Sequence, residues 1–193
     1  MNAHTVRPVV LADAFAVEGP LADAASVAVA SAIIALCARV QIPLPFTPVP
    51  VSGATLGLLL VAAALGARRG AAAAALYLLE GGAGLPVFAG GAAGAAILLG
   101  PTGGYLLGFP VAAAVCGALA ERGWDRTPAR AFAAMLISGA PIFALGLLGL
   151  SRFAPARTLL LQGLWPFLPG EIVKCAAAAG LLPLGWRLFG ARP

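Results

Sequence analysis

Charged residues cut this chain into long uncharged stretches, and their spacing predicts where membrane-crossing helices begin and end. Nothing charged lies between Asp23 and Arg39, so AASVAVASAIIALCA reads as a first span, lengthened by Leu21 and by an Arg39 able to snorkel. From Val40 to Ala67 there is again no charge, but Pro43, Pro45, Pro48 and Pro50 forbid a regular helix over the first half. A re-entrant or surface loop followed by a helix from Val51 to Ala67 is the expectation there. Arg68 and Arg69 close this second span, and a third starts near Gly70 and runs only to Gly82. Beyond it, GGAGLPVFAGGAAGAAILLGPTGG is apolar yet crowded with glycine and proline. Its unpaired backbone groups would be costly against lipid, so this segment must be sheltered by protein or line a cavity. A fourth span follows from Gly104 to Ala120, and a fifth from Ala131 to Leu150. After the SRFAPART connection and a short apolar lead-in containing Trp165, Pro169 and Gly170 open a sixth that reaches Leu188.

The predicted fold class is therefore an all-α integral membrane protein, a compact bundle of six transmembrane helices with a glycine- and proline-rich irregular segment after the third. Composition agrees: 61% of the residues are hydrophobic and 10% charged, against roughly 25% charged in soluble domains. Residues 1–20 read as a polar cytoplasmic segment and 21–193 as one membrane domain in the lipid bilayer. The net charge of +5 is scattered in ones and twos, which leaves no basic patch for nucleic acid. Those charges serve instead as topology markers. Arg7, Arg68, Arg69, Arg122, Arg126, Arg130, Arg187 and Arg192 fall on the side of the termini, against Arg39, Arg152, Arg157 and Lys174 on the other. The excess predicts that both termini are cytoplasmic. The FTPVP loop, the glycine-rich segment and the start of the sixth helix then converge on the outer face. No cleavable signal is expected, because Asp13, Glu18 and Asp23 interrupt the first residues.

Several chemistries are disfavoured. The sole histidine is His4, so a multi-histidine metal site is not expected, and Cys37, Cys116 and Cys175, an odd number inside apolar runs, read as packing residues. No cofactor is implied. GxxxxGK[ST], GxGxxG and GxSxG are all missing, so any use of ATP must come from partners, and with His4 in the polar head an intramembrane enzyme lacks a serine–histidine or cysteine–histidine set. The features that remain point to ligand binding. Glu171 and Lys174 stand three apart at the outer start of the sixth helix, on one face, either as an ion pair that satisfies itself or as a pair reaching a common ligand. Glu80 ends the third helix and either lines the cavity or snorkels to outer water. In GPTGGYLLG the spacing of Gly100, Gly104 and Gly108 suits close helix packing, while Thr102 and Tyr105 offer hydroxyls to a ligand. Ala24, Ala28 and Ala32 form a small-residue stripe on the first helix able to dock another membrane protein, although so many alanines make such spacing common.

Four stretches in order, FTPVPVSGATLG (46–57), LYLLEGGAGLPVFAGG (76–91), LLGPTGGYLLGF (98–109) and FLPGEIVK (167–174), resemble the BioY family, the substrate-binding components of biotin transporters of the energy-coupling-factor type. The resemblance covers nearly the whole chain after Leu21. It implies a six-helix bundle with cytoplasmic termini in a bacterial cell membrane, biotin as ligand, and partners comprising a transmembrane coupling protein and two ATPases. Uptake without those ATPases and assembly as a homo-oligomer both stay open, and a proton-coupled transporter or a helical scaffold are the rival readings. In the family, polar contacts to the vitamin come from FLPGD..K, which falls here on Glu171 and Lys174, with glutamate where aspartate is usual. Ala54 stands where glutamine is common. An acid such as Glu171 can accept from the ureido nitrogens while Lys174 either pairs with an oxygen or holds Glu171. Phe46, Val87, Phe88 and Tyr105 are the expected apolar walls.

Overall fold

A computed structural model describes residues 10–14 and 19–189. His4, Arg7, Glu18 and Arg192 lie outside the described residues. Eight α-helices follow one another in the described chain: α1 (Pro20–Ala38), α2 (Ala54–Leu65), α3 (Ala67–Gly82), α4 (Ala95–Leu99), α5 (Gly103–Glu121), α6 (Pro128–Leu150), α7 (Ala156–Gly163) and α8 (Leu168–Phe189). The only described sheet is a two-residue antiparallel pair, β1 (Gln41–Ile42) with β2 (Val51–Ser52), in the register Gln41 to Ser52 and Ile42 to Val51.

Four stretches are long and apolar enough to cross a membrane: α1, α5, α6 and Ala156–Phe189, the last interrupted by turns between α7 and α8. The helices expected second and third are shorter. α2 has 12 residues and α3 has 16, which at 1.5 Å per residue gives roughly 18 and 24 Å against a hydrocarbon core of about 30 Å. The prolines before α2 and the glycines after α3 set those limits. α7 lies in the connection, where the sequence predicts only an apolar lead-in, and α4 forms within the glycine-rich segment.

Proline opens α1 and α6 in their first turns, where the missing N–H breaks no helical bond. Between α2 and α3 the chain turns in a single residue, Gly66, at φ 85°. The first N–H of α3, on Ala67, is then received by Glu121 Oε1 at 2.8 Å, so an acid from the end of α5 caps a positive helix end. Arg69 pairs with Asp13 at 2.7 Å and with Asp23 at 3.5 Å, tying the starts of α1 and α3 together.

The core is centred on α5, which packs against α6, α3 and α2, while α1 covers α2 and α3 and α8 lies on α6 and α2. Small residues permit these approaches: Ala62, Ala63, Ala73, Ala74, Ala112 and Ala113 are all fully buried. Cys116 and Cys175 are buried and Cys37 half-buried, all three free, as packing residues would be. At the end of the bundle that carries Arg68, Arg69, Arg122, Arg130 and Arg187, the turn between α5 and α6 places Asp125 under α8, where its Oδ2 accepts from Trp186 Nε1 at 2.5 Å and Arg126 covers the indole at 4.7 Å.

Burial pushes the Asp125 carboxyl above its ordinary value of 3.8, against the opposing pull of the Trp186 hydrogen bond and of Arg126. The folded state therefore holds that proton more tightly than the unfolded chain does. The contribution is fully present below the unfolded value and is lost as pH rises through the folded one. Asp125→Asn keeps an acceptor for Trp186 without a charge to desolvate, so its melting temperature should fall less than that of the parent as pH is raised from 4 through 7. Parallel melting curves would refute the assignment.

Candidate functional site

At the end opposite that basic cluster, three irregular segments meet over a cavity of about 360 Å³, within the range of roughly 300 to 1,000 Å³ usual for small-molecule sites. The first is the proline loop between β1 and β2. Its Thr47 hydroxyl donates to the Gln162 carbonyl at 2.8 Å and also receives the Val49 N–H, which fastens the loop to the end of α7. The second is the glycine-rich segment, which satisfies its own backbone: Gly94 N donates to Gly81 O at 2.7 Å, Phe88 N to Ala92 O at 3.0 Å and Gly91 N to Phe88 O at 2.8 Å. The Phe88 ring occupies the space that a Cβ on Gly81 would need, so this glycine is what lets Phe88 turn inward. The third is the joint between α7 and α8, which sets Glu171 in the first turn of α8.

The walls are mostly apolar and aromatic, with Tyr77, Phe88, Tyr105, Phe109, Phe143 and Phe167 among them. Polar groups gather on one side. Lys174 Nζ reaches the Ser52 carbonyl at 3.2 Å, Glu171 Oε2 at 2.6 Å and Thr55 Oγ1. An ammonium has three N–H donors, so these three acceptors occupy all of them. Thr55 in turn donates to Glu171 Oε2 at 3.2 Å. The other carboxylate oxygen, Glu171 Oε1, is buried and has no hydrogen-bond partner among the described residues. The arrangement leaves one carboxylate acceptor unpaired on a residue that lines an apolar cavity, its other oxygen held in place. It can take an N–H from a ligand whose remaining surface is apolar.

Of the residues singled out from sequence, Glu171, Lys174, Tyr105, Thr102 and Phe88 line this cavity together. Two of their hydroxyls are committed to the backbone: Tyr105 donates to Gly163 O at 2.7 Å and Thr102 to Ile97 O at 3.4 Å. Tyr105 therefore offers its ring, packed near Phe143 and Phe167. The other three stand off the cavity lining. Phe46 is exposed at the tip of the proline loop, and Val87 is half-buried against the core. Glu80 accepts from the buried Ser31 hydroxyl at 2.5 Å, joining α3 to α1. Ala24, Ala28 and Ala32 lie on an exposed face of α1, away from the cavity.

Sequence reasoning passed over Ser52, Thr55, Tyr77, Phe109, Phe143 and Phe167. Five of these sit inside or at the edges of the four motif stretches, so the signal was present but not resolved to single positions. Phe143, in the middle of a uniform apolar run, carried none. No described group of three or more histidine, cysteine, aspartate or glutamate side chains is placed to hold a metal.

Comparison with known proteins gives a consistent picture. A family model described as BioY family matches residues 8–191. The chain is 37% identical over 174 residues to the biotin transporter BioY of Rhizobium etli, covering 84% of this chain and 93% of that protein. It is 39% identical over 154 residues to the biotin transporter BioY of Thermotoga maritima, covering 77% and 86%. Among solved structures, the S-component for biotin from an ECF-type ABC transporter superposes with a TM-score of 0.77 at 25% identity, covering 89% of this chain and 96% of that one.

Proposed function

The chain belongs to the BioY family, and from that premise we propose how its cavity serves the family's task. It is a transport protein and not an enzyme: it binds biotin and mediates its uptake as the substrate-binding component of an energy-coupling-factor transporter. The observation that carries the chemical reading is Glu171 Oε1, a buried acceptor without a partner on a residue that lines an apolar cavity, while Lys174 and Thr55 hold the other oxygen. Biotin's ureido group presents N–H donors on an apolar bicycle, which suits that acceptor. Lys174 acts chiefly by fixing Glu171 and neutralising its charge, since its donors are already engaged.

Phe88, Tyr105 and Thr102 supply wall contacts for the bicycle and the valeryl chain. Phe46, Val87 and Glu80 stay with the site in a lesser role, Phe46 and Val87 through the two segments that cover the cavity and Glu80 by bracing α3 against α1.

Six passes are proposed, α2 and α3 being continued toward membrane depth by the proline loop and the glycine-rich segment, irregular backbone that lines the cavity. The basic residues at the opposite end then face the cytoplasm, both termini with them, and the cavity opens outward across the inner membrane. Residues 1–20 form a polar segment ahead of the membrane domain of 21–193. A transmembrane coupling protein and two ATPases would energise turnover, with the exposed Ala24, Ala28 and Ala32 face of α1 as docking surface.

Isothermal titration of the purified protein in detergent with biotin and with several unrelated vitamins tests the reading. Saturable heat with biotin alone is expected. No heat with biotin from folded protein overturns it. Reconstituted protein lacking ATPases that still accumulates biotin would exclude a strict need for them.

A further inference from the structure

Burial leaves three side-chain oxygens unpartnered among the described residues, and two of them belong to residues lining the cavity: Glu171 Oε1 and the Tyr77 hydroxyl. Glu171 has its explanation above. Tyr77 does not. It lies on α3 with no exposed surface, its ring edge-on to Phe88 at 5.5 Å and stacked on Phe109 at 6.1 Å. Phenylalanine would fill that space equally well and would bury no polar atom. A hydroxyl in this position needs a partner that the described residues do not supply, and Tyr77 lines the cavity from which a ligand can supply one.

The other hydroxyl and ammonium donors around the cavity are largely engaged. Tyr105 gives its proton to Gly163 O, Thr102 to Ile97 O and Thr55 to Glu171, and Lys174 uses all three of its donors. A ligand that gives an N–H to Glu171 also brings oxygens that need a donor. Tyr77 is the fully buried group able to supply one.

We propose that the Tyr77 hydroxyl is a second polar contact of the site, donating a hydrogen bond to an oxygen of the bound vitamin. This rests on the biotin reading above. The chemistry is a phenol donating to a carbonyl or carboxylate oxygen, and biotin carries one of each, on its ureido ring and at the end of its chain.

The test is Tyr77→Phe, titrated with biotin, with 2-iminobiotin, in which nitrogen replaces the ureido oxygen, and with an analogue whose chain ends in a methyl group instead of the carboxylate. Melting of the ligand-free protein is followed in parallel. The variant should bind biotin about 10-fold more weakly, and its ligand-free melting temperature should be unchanged or higher, because an unpaired buried hydroxyl has been removed. The loss should vanish for the one analogue that lacks the oxygen Tyr77 touches. Biotin affinity within twofold of the parent overturns the proposal. So does an equal loss for all three ligands, or a variant that melts lower or fails to fold, since the hydroxyl would then be structural. A parent protein that does not bind biotin at all overturns the reading beneath it instead.

Discussion

Glu171→Gln should weaken biotin binding about 100-fold, roughly 2.7 kcal/mol, the largest loss from any single side chain at the site. The substitution keeps length and shape and removes only the charge and one acceptor. Lys174 Nζ, 2.6 Å from Glu171 Oε2, then holds the amide oxygen, the better acceptor left to it. That turns the amide nitrogen toward the cavity, where a donor faces the ligand's own N–H. An attractive charge-assisted contact becomes a repulsive one. Glu171→Asp keeps the charge but is one methylene shorter, so it should fall between parent and glutamine. Titration calorimetry measures all three. Should the glutamine variant bind within threefold of the parent, Glu171 Oε1 is not the acceptor.

Gly104→Val is expected to cost about 3 kcal/mol of stability or more, enough to lose most folded protein from detergent extracts. A Cβ at Gly104 would meet the carbonyl of Leu145 and, at 3.0 Å, the Cα of Gly149 on α6. One turn along, a Cβ at Gly108 would come within 2.7 Å of the Ile142 Cα. Both obstacles are backbone, which cannot rotate aside as a side chain would, so α5 and α6 must separate. The damage reaches the site as well, because α5 carries Tyr105 and α6 carries Phe143. Gly180→Ala on α8 is the control: a Cβ there has nothing within 4 Å, and alanine favours the helix. Size-exclusion profiles and melting temperatures of the two variants give the comparison. Equal behaviour would mean that the two helices are not held at backbone contact.

The GPTGGYLLG spacing was thus a genuine packing signal at Gly104 and Gly108, whereas Gly100 meets only its own local turn, at Ala96 and Ile97. Spacing on one helix cannot tell which neighbour it faces. The same limit explains Glu80. In sequence it is an acid at membrane depth beside the glycine-rich segment, but its partner is Ser31, 49 residues away. Phe46, Val87 and Phe88 are alike as apolar residues, and the fold places only Phe88 in the cavity lining, where Gly81 leaves room for its ring.

By itself the sequence determined the membrane character, the places where charges and prolines interrupt the helices, and the adjacency of Glu171 and Lys174. All of these are local: hydropathy acts over a single span, proline on its own turn, and a three-residue spacing on one helix face. Only the tertiary structure decided that Ser52 and Thr55 would join Glu171 in saturating Lys174, that one oxygen of Glu171 would stay free, and that Tyr77 would line the same cavity from α3. Whether a polar atom is satisfied depends on groups that meet through packing, often across more than a hundred residues of chain, and no local pattern encodes which of them will meet.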